Sequence, residues 1–210
     1  MQIITSPKEI ELKSFRIVDK YLADVKLARP QKEVTARVIH ATSDLNYAKD
    51  ILFHPKAIRA AVTAIKKGKN IVADANMVKA GINKKILSGF GGRVICFIDN
   101  KGVAKQASRL NITRSILAMR KACKSINGGI VVIGNAPTAL FEVCDMVSKG
   151  RAEPSLIIGL PVGFVGAKES KKKLRTLKIP YITNRSRYGG SSAAAACVNA
   201  LLKIAKREKE

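Results

Sequence analysis

The segment SLIIGLPVGFVGAKES, at positions 155–170, is the strongest indication of the fold in this chain. An apolar run at 156–158 stops at Gly159, and a loop with Gly163 and Gly166 precedes a Lys/Glu/Ser segment that favours a helix. Glycine permits positive φ angles and has no Cβ to hold a ligand away. A helix N-terminus offers unpaired N–H groups that suit anions. The segment therefore predicts a strand, a loop and a helix, with an anion site at the carboxyl end of the strand.

The same alternation of strand and helix extends over the chain from residue 70 onward. Short apolar runs predict strands at 70–73, 93–98, 130–133, 156–158 and 180–183. Helical spacing predicts helices at 77–81, 107–126, 137–147, 168–177 and 191–206. Because strands and helices alternate, we predict an α/β fold with a parallel five-stranded sheet, helices on both faces and right-handed crossovers.

The part of the chain before residue 70 is predicted to be helical. An apolar stripe marks a first helix at 9–24, and Pro30 and Pro55 suit the first turns of two more helices, the last ending at Gly68. The 210 residues are 47% hydrophobic and 5% aromatic, which fits a single domain, 1–210, with one core. This apolar fraction excludes a disordered chain.

The charge of the chain is strongly positive. It has 39 Lys and Arg residues against 15 Asp and Glu residues, a formal net charge of +24. Such charge favours an anionic partner, either nucleic acid or a small polyanion. The alternative is a solvated surface, because many lysines stand in runs that predict exposed helix faces. These runs are Lys66-Lys67, Lys84-Lys85, Lys171-Lys172-Lys173 and the segment 203–210.

Cysteine spacing and hydropathy indicate the compartment. Cys96, Cys123, Cys144 and Cys197 are widely spaced in apolar segments and form no C-x-x-C pair, so we expect buried free thiols and a reducing environment. The start, MQIITSPKEIELKSF, lacks the basic and apolar regions of a secretory signal. No segment approaches the roughly 18 continuous apolar residues of a membrane span. We therefore expect a cytoplasmic protein with no membrane partner.

Three successive strands are followed by loops of unusual composition, and in a parallel sheet all three loops lie at the same edge. The loops contain IGNAPTALF at 133–141, GLPVGFVGAKES at 159–170 and NRSRYGGSS at 184–192. Together they predict a pocket for an anionic, oxygen-rich ligand; the alternative is that glycine and proline only form tight turns. The residues offered to a ligand are Asn135, Thr138, the Gly163 backbone, Lys168, Arg185, Arg187 and Ser191.

The usual nucleotide and catalytic motifs are missing from these loops. Their glycines are spaced G-x-x-x-G-x-x-G, and neither G-x-G-x-x-G nor G-x-x-x-x-G-K-S/T occurs, which argues against a dinucleotide or a triphosphate. The sequence has no nucleophile elbow, and we predict no metal site and no cofactor. An enzyme so poor in functional groups would act by positioning and proton donation.

The chain has two histidines, and histidine is the side chain that titrates near neutral pH without help. His54 stands just before a predicted helix, and we interpret it as structural. His40 lies in RVIHATSD, between an apolar run and a polar turn. At His40 a structural role and an acid–base role both stay open from the residues alone.

These segments resemble those of the precorrin-8X methylmutase family over residues 14–202. The matching segments are KSF at Ser14, RVIHA around His40, ADANMVKAGI from Ala73, NITRS around Arg114, GNAPTALFE from Gly134, GLPVGFVGAKESK from Gly159 and SRYGGSS from Ser186. The family usually has Arg-Gly-Arg where this chain has Arg185-Ser186-Arg187. Both arginines are therefore retained.

The resemblance implies an isomerase of corrin-ring (cobalamin) biosynthesis. Its reaction is a 1,5-shift of a methyl group from C11 to C12 of precorrin-8X or cobalt-precorrin-8, which gives hydrogenobyrinate or cobyrinate. The resemblance implies that His40 is the general acid that protonates the conjugated ring. The acetate and propionate arms of this polycarboxylate tetrapyrrole would explain a basic pocket. Nothing in the sequence chooses between the metal-free and the cobalt substrate.

The resemblance also implies a homodimer with its sites near the subunit interface. Substrate contacts carry over to Ser14, Arg37, Arg114, Asn135 and Thr138, and to the loops at Gly159 and at Gly189 and Gly190. The alternative class is a basic α/β nucleic-acid-binding protein. That class needs stacking aromatic residues among the basic runs, which this sequence does not have.

Overall fold

The structure, a computed structural model, describes residues 5–209. Residues 1–4 and Glu210, which the predicted domain includes, lie outside the described residues. The described strands are β1 (Ile51–Phe53), β2 (Ile71–Ala73), β3 (Val94–Ile95), β4 (Ile130–Ile133), β5 (Leu156–Gly159) and β6 (Tyr181–Asn184). They form one sheet in the order β1-β6-β5-β4-β2-β3.

Helices surround this sheet. In chain order they are α1 (Pro7–Leu22), α2 (Arg29–Thr42), α3 (Tyr47–Asp50), α4 (Ala57–Lys66), α5 (Asn76–Gly81), α6 (Lys84–Ser88), α7 (Lys101–Leu110), α8 (Arg114–Lys121), α9 (Cys123–Ile126), α10 (Pro137–Ser148), α11 (Ala167–Leu174) and α12 (Ser191–Arg207). The α/β fold with helices on both faces of the sheet is confirmed.

The five predicted strands are all present and are parallel to one another, and the structure adds a sixth strand, β1. Strand β1 pairs antiparallel with β6, so that Ile51 lies opposite Asn184. The sheet is therefore mixed rather than wholly parallel. An apolar run of three residues, placed between a short helix and His54, is too short for periodicity to identify as a strand.

The prediction of one long helix at 107–126 is wrong. Three helices, α7, α8 and α9, cover this region. Asn111 adopts a left-handed conformation, with φ of 49°, and ends α7. The Thr113 side chain accepts a hydrogen bond from the backbone N–H of Ile116 and begins α8. The short sequence between the helices thus supplies a C-cap and an N-cap inside an apolar pattern that continues through it.

The core consists of two layers, one on each face of the sheet. Alternate residues of a strand point to opposite faces, and accordingly Ile71 belongs to one layer and Val72 to the other. Helices α2, α4 and α12 cover the first face, while α8 and α10 lie on the second. Each buried aliphatic side chain stabilises the fold by ~1.5–3 kcal/mol, so both faces contribute to holding the sheet in place.

Helices α2 and α12 run antiparallel to each other across the first face. Glu33, near the start of α2, forms an ion pair of 3.0 Å with Arg207 at the end of α12. The last turns of α2, which carry His40, therefore lie toward the start of α12. Since α12 follows β6, that start is at the carboxyl edge of the sheet.

The four cysteines are free, and two of them are buried. Cys144 and Cys197 are buried, whereas Cys96 and Cys123 are only half-buried, so the expectation of buried thiols holds for one pair. Burial raises the pKa of the Cys144 thiol to about 12. Among residues 5–209, no helix has both the length and the apolar character needed to cross a membrane.

Candidate active site

The three predicted loops do leave the sheet at one edge. Strands β4, β5 and β6 are neighbours and parallel, with Ile133 beside Gly159 and Gly159 beside Thr183 at their carboxyl ends. The loops that follow are the first loop (residues 134–136), the glycine loop (residues 160–166) and the arginine loop (residues 185–190). This common edge is where ligands bind in open parallel sheets.

The first loop is held by a buried carboxylate. Asp74, which directly follows β2, is 1% exposed. Its oxygens accept hydrogen bonds from the backbone N–H groups of Gly134 (2.9 Å), Asn135 (2.9 Å) and Ala136 (2.7 Å). Burial raises the pKa of the Asp74 carboxyl above its ordinary value, although these three bonds act to lower it. Asp74 thereby fixes the backbone that carries the exposed Asn135 side chain.

A cluster of three hydroxyl groups joins the N-termini of α8 and α10. The Thr113 and Thr138 oxygens lie 3.2 Å apart, and the Ser115 oxygen lies 3.1 Å from the first and 3.0 Å from the second. Arg114 is exposed beside this cluster, and an open groove of about 790 Å³ is lined by Thr113 and Arg114. The structure thus connects Arg114 and Thr138, which were predicted separately.

The glycine loop needs glycine at two positions. Gly163 has a φ of 150° and Gly166 a φ of 77°, both in a region that other residues rarely adopt. A Cβ built on Gly163 has no atom within 4 Å, so this backbone is open to a ligand. The end of the loop is apolar, and Phe164 and Val165 are each 87% exposed. Lys168 is exposed on the first turn of α11.

The arginine loop rests on a buried lysine. Lys171 is 1% exposed, and its Nζ donates hydrogen bonds to the carbonyl oxygens of Ser186 (2.9 Å) and Tyr188 (2.6 Å). Burial lowers the pKa of Lys171 to about 8, and the charge of Asp50 acts in the opposite direction. The interpretation of the run at 171–173 as an exposed face is therefore wrong for Lys171. Helix α11 turns that position inward together with Leu174.

Asp50 holds the same loop from the other side. Its Oδ1 accepts hydrogen bonds from the backbone N–H groups of Arg185 (2.9 Å) and Ser186 (3.1 Å). Its Oδ2 accepts from Asn184 Nδ2 at 2.8 Å and from the Ser186 hydroxyl. The Arg185 guanidinium donates to the carbonyl of Lys49 at 3.0 Å. The beginning of the arginine loop is thus fastened to the end of α3.

Arg187 connects the arginine loop to the glycine loop. Its guanidinium carbon lies 4.9 Å from the ring centre of Phe164 and 5.6 Å from that of Tyr188. Its carbonyl accepts a hydrogen bond of 3.2 Å from the N–H of Gly163. A cation above an aromatic face is favourable, so the two loops are linked through both the backbone and the side chain of this residue.

The end of the arginine loop packs closely against the glycine loop. The N–H of Gly190 donates to the carbonyl of Leu160 at 2.9 Å. A Cβ built on Gly189 would lie 2.2 Å from the same carbonyl oxygen, so no side chain fits there. Helix α12 then begins at Ser191. Gly189 is therefore required by the close approach of the two loops, whereas Gly190 is favoured by its φ of 123°, which other residues rarely adopt.

The remaining predicted residues form a second group on α1 and α2. His40 is exposed, and its ring stacks on Phe15 with centres 5.1 Å apart and an interplanar angle of 7°. The Arg37 guanidinium lies 4.4 Å from the Phe15 ring centre and pairs with Glu11 at 2.7 Å. This hydrogen bond holds the pKa of Glu11 below its ordinary value. Ser14 Oγ donates to a carbonyl of its own helix at 2.8 Å.

This helix group (Ser14, Arg37 and His40) is separate from the three loops. Within residues 5–209, no side-chain hydrogen bond or ring contact joins the two groups, although the direction of α2 places His40 toward the loop edge. A groove of about 630 Å³ is lined by Phe15 and Arg37, but it extends to Arg207 at the far end of α12. We therefore locate the candidate site at the loop edge and not in this groove.

His54 has contacts of a structural kind. Its Nδ1 accepts a hydrogen bond from the backbone N–H of Lys56 at 3.1 Å. Its ring makes an edge contact with Tyr181, with centres 5.6 Å apart. The first contact lies within the turn between β1 and α4, and the second fastens that turn to β6. They support the structural interpretation of this histidine.

Three residues that organise the loops were not predicted. These are Asp50, Asp74 and Lys171. Asp74 carried a recognisable signal, since an acidic residue directly after a buried strand lies at the edge where ligands bind. Lys171 carried another, since it stands four residues after Ala167 and three before Leu174, both buried. In the described part of the chain, no group of His, Cys, Asp and Glu side chains could hold a metal ion.

Comparison with known proteins shows the family. The family model described as precorrin-8X methylmutase matches residues 9–204. The chain is 45% identical over 199 residues to the cobalt-precorrin-8 methylmutase of Priestia megaterium, covering 95% of this chain and 88% of that protein. It is 42% identical over 172 residues to the precorrin-8X methylmutase of Pseudomonas aeruginosa, covering 81% and 82%. A crystal structure of precorrin-8X methylmutase from Thermus thermophilus matches with a TM-score of 0.89 and 34% identity, covering 96% and 97%.

Proposed function

The chain belongs to the precorrin-8X methylmutase family, and we propose that its substrate binds across the loop edge with His40 as the proton donor. The family makes the chain an isomerase of cobalamin biosynthesis. It moves a methyl group from C11 to C12 of precorrin-8X or cobalt-precorrin-8, and the product is hydrogenobyrinate or cobyrinate. Any cobalt belongs to the substrate and not to the protein.

The observation that carries the binding proposal is the meeting of three loops at one edge of the sheet. The edge presents the Arg114 and Arg187 guanidinium groups, the Asn135 amide and the Thr138 hydroxyl. The acetate and propionate arms of the substrate are carboxylates, which form the strongest hydrogen bonds with cationic donors. The open backbone at Gly163 allows the macrocycle to approach closely. The chemistry of the edge therefore suits a polycarboxylate ring.

The proposed general acid is His40, and what supports it is that the end of α2 lies toward the loop edge. Stacking on Phe15 covers one face of the imidazole and leaves the nitrogens at the ring edge. In the proposed step, an imidazolium N–H transfers its proton to the conjugated macrocycle, which lowers the barrier to methyl migration. The methyl group then moves from C11 to C12 within the same molecule, and the proton returns to His40. No net proton or electron is consumed, so the protein needs no nucleophile and no redox partner.

Replacing each histidine in turn tests this proposal. His40→Ala removes the donor, and since general acid catalysis contributes ~10²–10⁴-fold, turnover should fall by about that factor. Binding of the product should be retained, because the loop edge is unchanged. His54→Ala is the matched control and should remain active. The measurement is the spectral conversion of precorrin-8X to the corrin chromophore; wild-type turnover in His40→Ala, or an inactive His54→Ala, would contradict the assignment.

We also propose that the protein acts as a homodimer in the cytoplasm. Phe164 and Val165 stand side by side and are almost fully exposed, and exposed apolar residues of this size favour burial against a second surface. A second copy would cover this part of the loop edge. The free thiols support a reducing compartment.

A further inference from the structure

We propose that Lys171 is the positioning residue of the arginine loop, and that its ammonium group sets where Arg187 stands to receive a carboxylate arm of the ligand. The ligand part of this inference rests on the function proposed above. The positioning part rests on the contacts of the loop alone. Lys171 itself lies beneath the loop and acts through Arg187.

The two hydrogen bonds of Lys171 bracket Arg187. Nζ donates to the carbonyls of residues 186 and 188, which are the residues immediately before and after it. The side chain is 1% exposed, and a buried ammonium group is costly unless it is hydrogen-bonded. The position of the buried cation therefore fixes the peptide group between residues 186 and 187 and the one between residues 188 and 189, and Arg187 lies between these two fixed points.

The backbone N–H groups of the loop are held by a negative charge, the carboxylate of Asp50. Asp50 accepts the N–H groups of Arg185 and Ser186, so the amides of the loop meet a carboxylate while its carbonyls meet an ammonium group. Asn184, which is buried, joins the two sides by donating to Asp50 at 2.8 Å and to the carbonyl of Tyr188 at 2.9 Å. We infer that these contacts hold the loop in one arrangement from both sides. Lys171 contributes to that arrangement without touching the ligand.

Movement of Arg187 would be transmitted to the neighbouring loop. Its carbonyl accepts from Gly163, and its guanidinium lies over Phe164. Both partners belong to the glycine loop, whose backbone is open at Gly163. Loss of the cation at Lys171 should therefore disturb the two loops that face a ligand while the sheet below them stays intact.

The first experiment measures the loop without any ligand. Hydrogen–deuterium exchange at 184–190 is compared in Lys171→Met and in Lys172→Met, an exposed neighbour that serves as control. Hydrogen bonds to charged groups resist opening, so exchange should become about tenfold faster or more in Lys171→Met and stay at the wild-type rate in the control. Wild-type exchange in a folded Lys171→Met overturns the proposal.

A milder variant covers the case in which Lys171→Met does not fold. Lys171→Gln removes the charge but keeps an N–H donor on a slightly shorter chain. Exchange at 184–190 should then be faster than in the wild type, with the sheet protected as before. Unchanged exchange in this variant also overturns the proposal.

The second experiment tests whether Lys171 acts through Arg187. Titration with hydrogenobyrinate should show about tenfold weaker affinity in Lys171→Met. In turnover of precorrin-8X, KM should rise by a larger factor than kcat falls. In an Arg187→Ala background the same substitution should weaken affinity much less, since the guanidinium is gone and only the backbone bond from Gly163 to the residue 187 carbonyl remains to be disturbed. Equal losses in both backgrounds would mean an independent role and overturn the proposal.

The two experiments separate this proposal from the proposed function. If exchange at 184–190 accelerates in Lys171→Met but the wild type does not bind hydrogenobyrinate, the positioning role stands and the proposed ligand is wrong. If the wild type binds and Lys171→Met binds equally well with unchanged exchange, the proposed function stands and Lys171 has no positioning role.

Discussion

The arginine loop and the glycine loop lie side by side at the same edge of the sheet, but they are held in different ways. Asp50 and Lys171 hold the arginine loop from two sides with opposite charges. The glycine loop is anchored at its base, through Leu160, and its end at Phe164 and Val165 is exposed. One loop is thus arranged before a ligand arrives, and the other leaves apolar surface uncovered.

This difference follows from what each loop offers. A guanidinium group binds a carboxylate well only when it is oriented, and orienting it in advance avoids a cost during binding. Arg187 belongs to the loop with the buried charges. Apolar contact has no such directional demand, and the exposed end of the glycine loop can meet a macrocycle or a second subunit without being fixed beforehand.

The largest effect should come from removing the acidic side of the arginine loop. Asp50→Ala leaves the buried Asn184 amide and the Lys171 ammonium without their carboxylate, which should lower the free energy of unfolding by about 3 kcal/mol. Urea denaturation measures this change. Asp24→Ala, at an exposed carboxylate in the turn after α1, should stay within about 0.5 kcal/mol of the wild type. A loss below about 1 kcal/mol for Asp50→Ala would contradict the conclusion that buried charges hold the arginine loop more firmly than the glycine loop is held.

A matched pair of glycine substitutions compares the loops directly. Gly189→Ala places a Cβ against the Leu160 carbonyl and should cost about 2–3 kcal/mol of unfolding free energy through overpacking. Gly163→Ala meets open space and should cost about 1 kcal/mol, from its φ alone, while weakening product binding. Thermal and urea unfolding of both variants give the comparison. Equal costs would mean that the close packing at Gly189 does not matter.

The buried lysine should also produce a pH dependence of stability. Its pKa is about 8 in the folded chain, whereas an unperturbed lysine has a pKa near 10.4, so between these values the unfolded chain binds more protons. The free energy of unfolding contributed by Lys171 should therefore rise with pH, by about 2 kcal/mol from pH 8 to 10. Urea denaturation of wild type and Lys171→Met over this range should show the extra slope only in the wild type. Equal pH slopes of the unfolding free energy in the two proteins would contradict this effect of Lys171.

The smallest effect on chain stability should come from the exposed end of the glycine loop. Phe164→Ser and Val165→Ser remove little buried surface, so the free energy of unfolding should change by less than about 0.5 kcal/mol. The molecular mass in solution should nevertheless shift from dimer toward monomer. Leu110→Ser, at an exposed residue that ends α7, is the control and should leave the mass unchanged. A dimer that persists in both loop variants would place the interface elsewhere.

The parts of the site that sequence reasoning could locate were those determined locally. The glycine loop was found because a strand, a positive-φ turn and a helix follow one another within a short segment. Lys171 was misread because its basic neighbours suggested solvent, although its spacing from Leu174 pointed inward. Asp50 could not be found in this way, because its partner Arg185 lies 135 residues away and no local pattern links the two.

That separation has a consequence for how the protein is made. The ribosome adds roughly 5–20 residues per second, so Asp50 leaves it several seconds or more before Arg185 is synthesised. Contacts between distant segments form late, because closing a long loop costs entropy before any contact compensates for it. Most of the sheet can therefore assemble on a chain whose arginine loop is still unordered. If the proposed site is the substrate site, ligand binding becomes a late event of maturation, and we expect a chain that has stalled before residue 185 not to bind the substrate.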